Sequence, residues 1–112
     1  MCRALRVLCG AVEEGRLAKL KRAALSAHWE VVGGAVSAEE LVAQVAHWSP
    51  DVVIIDAPLG GKAVRAVRKS RLKVRIVTVG QVSAGEDRVA RSLADIKGAV
   101  LGLPATGGPV TR

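Results

Sequence analysis

Phe, Tyr and Asn are absent from this 112-residue chain, and Met occurs once. A core without Phe or Tyr must take its volume from Val, Leu, Ile, Ala and the two Trp. The same lack removes the basic–aromatic interleaving on which single-stranded nucleic acids stack. No apolar run approaches the ~20 residues that a membrane-crossing helix needs. Cysteine is scarce. Cys2 and Cys9 lie on one strand-like segment, too far apart along it to bridge. Cys9 reads as a small core residue, which fits a reducing, cytoplasmic setting.

Half of the residues are hydrophobic, and the length suits one domain. The excess of Ala, Val, Gly and Arg suggests a GC-rich bacterial genome. The formal net charge is +7, with Lys and Arg gathered in Arg16–Arg22, Lys62–Arg75 and Arg88–Lys97. A basic surface of Lys62, Arg65, Arg68, Lys69, Arg71 and Lys73 fits nucleic acid or an acidic partner. It fits equally well a solvated helical face that serves solubility.

Apolar runs alternate with helical patterns, which points to βα units and a parallel sheet. Strands are expected at Leu5–Ala11, Glu30–Val32, Val52–Asp56, Val74–Val79 and Ala99–Leu101. Helices are expected over Gly15–Ala27, from Ser37 to Trp48, and over Lys62–Arg71. In the second of these, Leu41, Val45 and Trp48 share the inner face. A fourth helix opens at Ser83-Ala-Gly-Glu86 and carries Val89, Leu93 and Ile96 on one stripe. Gly33-Gly34 and Gly60-Gly61 read as turns. Residues 1–102 form the domain, and 103–112, rich in Gly, Pro and Thr, form a flexible tail.

Pro50-Asp-Val-Val-Ile-Ile-Asp56 is the most telling segment. Its β-branched run marks a strand buried on both faces, and Ala57-Pro-Leu-Gly-Gly61 turns the chain directly after Asp56. Strands ending in Asp also occur in P-loop ATPases, but those need a GK[ST] loop that this chain lacks. Pro50–Gly60 and the βα alternation resemble the response-regulator receiver domains. That resemblance implies a flavodoxin-like (CheY-like) three-layer α/β fold. Its five-stranded parallel sheet would run in order 2-1-3-4-5. Four helices would accompany the sheet, with the fifth missing or replaced.

The resemblance also implies site residues. Asp56 matches the phosphoacceptor. Glu13 and Glu14 stand nearest to the acidic pair that would hold Mg²⁺ with Asp56, although they also complement the start of a helix. The hydroxyl residue expected to close the fourth strand is replaced by Gly80, leaving Thr78 two residues short. The Lys expected after the fifth strand falls on Gly102. The resemblance therefore implies an atypical or pseudo-receiver, not an enzyme, which regulates transcription or signalling through protein contacts. Its partner would be another protein or an attached output domain. A homodimer is expected near the fifth strand, where a missing helix would bare the sheet. No cofactor is expected, and Mg²⁺ only if Asp56 is phosphorylated. The alternatives are a working phosphoacceptor and a basic nucleic-acid-binding protein.

Overall fold

The computed structural model describes residues 5–25, 29–70, 74–80, 88–92, 96 and 98. In chain order the elements are strand β1 (Leu5–Gly10), helix α1 (Glu14–Ala24), β2 (Trp29–Ala35), α2 (Ala38–Trp48) and β3 (Val52–Asp56). A 3-10 turn (Ala57–Leu59) follows, then α3 (Gly61–Ser70), β4 (Arg75–Val79) and β5 (Arg88–Ala90). The five strands form one parallel sheet in the order β2-β1-β3-β4-β5, as expected.

β3 lies at the centre with every residue buried, because helices cover both of its faces. Alternation along the strand sends Val52 and Ile54 toward α1, where they meet Leu17, Leu20 and Ala24. Val53 and Ile55 face the other way, against Leu41 and Val45 of α2 and Val64 and Val67 of α3. Asp51 ties the strand starts together. Its carboxylate accepts the Arg6 amide at 2.9 Å, while its own amide donates to the Arg6 carbonyl.

The sequence-level start signal of α2 is realised: Ser37 Oγ accepts the Glu40 amide, and Glu40 Oε1 accepts the Val36 amide. Trp48 is only half-buried. It packs on the core, and its Nε1–H donates to Gln44 Oε1 at 2.8 Å.

Two expectations need correction. Gly33 and Gly34 are not a turn but lie within β2, which runs on to Ala35. A Cβ at Gly33 would stand 2.6 Å from Gln44 Oε1 and 3.0 Å from Trp48 Nε1. The glycine is there to let α2 approach the strand.

The second correction concerns β5. The strand is Arg88–Ala90, inside the segment whose apolar spacing suggested a helix. The bare edge of β4 needs hydrogen-bond partners, and residues 88–90 supply them in register with Val77–Val79. Only residues 81–87 link Gly80 to β5, fewer than the dozen or so that a helical crossover uses. Ile96 and Gly98 are helical and come after β5, with Ile96 buried on the α1 side of the sheet. Three α-helices stand among the described residues. The expected start signal at Ser83–Glu86, the strand at 99–101 and the tail 103–112 lie outside them.

Cys9 is a free, fully buried thiol, and burial pushes its pKa from 9.0 up to about 12, with Lys21 opposing. The folded state keeps this proton after the unfolded chain has lost it. The corresponding stability is present below about pH 9 and drains away as pH rises toward 12. Urea titrations across the alkaline range should therefore show a flatter pH dependence for Cys9→Ala than for the parent. An identical slope would place the thiol outside the core.

Candidate functional site

Asp56 ends β3 at the carboxyl edge of the sheet, where open α/β folds bind their ligands. Its side chain is 2% exposed, so its charge must be met from within the protein. The partner is Arg16, in the first turn of α1. Arg16 Nε donates to Asp56 Oδ2 at 2.8 Å and Nη2 donates to Oδ1 at 3.1 Å. The guanidinium meets the carboxylate side-on, with one hydrogen bond to each oxygen. These hydrogen bonds push the Arg16 pKa above its ordinary value; burial works against the shift, and the Asp56 charge adds to it. The arginine charge is therefore permanent.

A cleft of about 720 Å³ opens beside the pair. Val12, Pro58 and Val79 form apolar walls, and Glu13, Arg91 and Ser92 add polar groups. Gly80 leaves the wall bare between them. Its φ is 90°, and a Cβ there would stand 2.8 Å from that of Ala57. A Thr or Ser at this position would be strained by the backbone and blocked by a neighbour.

The residues singled out in the sequence are partly brought together. Glu13 lines the cleft with Asp56, whereas Glu14 lines a separate groove with Leu17, Lys21 and Gly34. Thr78 is buried in β4, opposite Ile55 and Val89, and does not line the cleft. On α3, which covers the sheet face opposite α1, Lys62, Arg65 and Lys69 are exposed. Arg68 turns back, and its Nη1 donates to the Val74 carbonyl at 2.8 Å. Arg71 and Lys73 lie outside the described residues.

Two residues of the site are absent from the sequence-based set, Arg16 and Arg91. Arg16 had a detectable signal: a cation in the first turn of a helix opposes the helix dipole, so it calls for a carboxylate in compensation. Arg91 directly follows β5, and with that strand expected eleven residues later its place could not be read.

The chain matches no protein-family model and no curated protein sequence. Among solved structures it is similar to a LuxR-family two-component response regulator from Aurantimonas sp. SI85-9A1. The TM-score is 0.72 at 22% identity, over 88% of this chain and 83% of that one. It is also similar to the signal receiver domain of the putative response regulator NarL from Mycobacterium tuberculosis. There the TM-score is 0.71 at 23% identity, over 89% of this chain and 95% of that one. The response regulator domain of Thermotoga maritima CheB aligns with a TM-score of 0.65 at 21% identity, over 78% and 77% of the two chains. At such identities the likeness is one of architecture. The fold of this chain is that of the response-regulator receiver domains.

Proposed function

We propose that this domain is a pseudo-receiver, a non-enzymatic regulatory module of bacterial signalling or transcription control that works through protein contacts without aspartyl phosphorylation. The side-on pair between Arg16 and Asp56 carries this reading. Phosphoryl transfer to an aspartate needs a free carboxylate oxygen and a divalent cation to neutralise the moving charge. Here both oxygens already accept hydrogen bonds from a tethered cation. Mg²⁺ fits the surroundings poorly. It would have to displace Arg16, and of the two glutamates only Glu13 lines the same cleft. Gly80 supplies no hydroxyl to read out a phosphate.

The partner is read as another protein or an attached output domain, and the setting as cytoplasmic. Val89, 38% exposed on the edge strand β5, supports self-association there. A strict monomer by light scattering at high concentration would remove that part. The exposed Lys62, Arg65 and Lys69 favour nucleic acid as a second reading. It requires binding that weakens steeply with salt, and silence at low salt ends it.

Incubation with acetyl phosphate and Mg²⁺ should leave the mass unchanged. A phosphoryl mass gain that Asp56→Asn abolishes would establish a working phosphoacceptor instead. The ion pair itself should be measurable by denaturation. Arg16→Ala leaves Asp56 buried without its partner and should cost about 1–2 kcal/mol, less than a fully buried pair because Arg16 is 35% exposed. Removing both, in R16A/D56A, should recover part of that loss. Strictly additive single effects would mean that the two side chains do not act as a pair.

A further inference from the structure

We propose that the groove between α2 and α3 docks an acidic amphipathic helix of a partner protein. Apolar residues of that helix would sit between α2 and α3, and its carboxylates would lie along Lys62, Arg65 and Lys69. This rests on the pseudo-receiver reading, in which protein contacts are the working part of the domain.

α2 and α3 lie side by side on one face of the sheet, and their inner sides close over Leu41, Val45, Val64 and Val67. Outside that buried layer the two helices part. A groove of about 360 Å³ opens there, lined by Ala38 and Val42 of α2, by Ala66 of α3, and at its rims by Glu39 and Lys62. Ala38, Val42 and Ala66 are half-buried. A long side chain at such a seam would lay its stem over the trough. Ala38 and Ala66 are too short to do so, which leaves apolar surface facing outward. A third helix fits such a trough by setting one ridge of apolar side chains into it.

Charge selects which helix. α3 carries no acidic residue, and the chain directly after it, Arg71-Leu-Lys73, adds none. Lys62, Arg65 and Lys69 stand at i, i+3 and i+7, so they share the outer face of α3 over roughly 10 Å of helix. None of the three forms a hydrogen bond or salt bridge among the described residues. The opposite bank, on α2, has Glu39 at its start and then the exposed, uncharged Ala43 and Ala46. One bank is therefore cationic and the other mostly apolar. A helix that matches both carries carboxylates on one flank of its apolar stripe.

The same charges rule against two other occupants. A second copy of the chain, placed face to face across a twofold axis, would bring one cationic α3 against another. Nucleic acid would engage the cations but leave the apolar trough unfilled, and Glu39 would repel its phosphates.

The probe is a capped peptide of ~18 residues, long enough to hold a helix in water, with Leu at i, i+3, i+4 and i+7 and Glu on one flank of that stripe. Titrated into the full chain and followed by backbone-amide NMR, it should give saturable shifts at Ala38–Val42 and Lys62–Lys69 with a Kd below ~1 mM. Ala66→Gln fills the trough without changing charge and should weaken binding about tenfold. K62E/K69E, at two exposed positions, should weaken it by about as much, and should bind a Lys-flanked version of the peptide better than the parent does. Two further arms separate the contributions: a peptide with Gln for every Leu keeps the charge without the apolar stripe, and a short DNA duplex is a polyanion of another class. Both should bind more weakly than the probe. Shifts lying elsewhere, indifference to Ala66→Gln, or equal binding of the Lys-flanked peptide to the parent would overturn the proposal. Tighter binding of the duplex, insensitive to Ala66→Gln, would overturn it in favour of nucleic acid. A phosphoryl mass gain on Asp56 would refute the pseudo-receiver reading itself. An unchanged mass together with no peptide binding would refute the groove alone.

Discussion

A carboxylate at the end of a buried strand is the constraint around which this domain is arranged. β3 can place Asp56 there only if a cation meets it, since an unpaired charge at 2% exposure would not persist. Arg16 meets that need, and in doing so fixes how the start of α1 sits over the carboxyl edge of the sheet. The link spans 40 residues of chain and joins two elements whose other contacts are apolar and non-directional. Hydrophobic burial decides that α1 covers this face of the sheet; the ion pair decides how its first turn is set.

In the pseudo-receiver reading proposed above, the same constraint separates receiver architecture from receiver chemistry. The architecture depends on apolar alternation in β1, β3 and β4, and all of it is kept. The chemistry depends on a handful of polar groups at strand ends, where one substitution changes the outcome. Gly80 and Arg16 are the two positions on which that reading turns: a glycine without a hydroxyl at the end of β4, and a tethered cation on Asp56.

Much of the fold was legible because its signals were redundant. β3 shows a β-branched run, an opening Pro-Asp and a closing Pro-Gly turn, and α2 shows both a capping box and an apolar stripe. The two-sided burial of β3 followed from these, and the sheet order from the resemblance to receiver domains. The fifth strand was not legible, because Val89, Leu93 and Ile96 keep helical spacing while Val89 and Ala90 equally suit a short strand. Local pattern could not decide between them; the unpaired edge of β4 did. That one displacement hid Arg91. Gly33 and Gly34 misled for a related reason. Paired glycines usually mark turns, and only the proximity of α1 and α2 shows that they serve close approach. In the site, Asp56 and Glu13 were visible as residue types. Arg16 reads as plain surface in the sequence, as basic residues on helices so commonly are.

The tethering of Arg16 also governs how the site relates to time and to the surrounding ions. A diffusible cation equilibrates with its pool, so a centre that depends on one follows the concentration of that pool. A cation anchored to the backbone of α1 is held at a fixed, high effective concentration against Asp56, whatever the medium contains. Dilution, chelators and swings in divalent ions leave it in place. The electrostatic state of the strand end is thereby written into the chain at synthesis, and any responsiveness must come from what binds around it.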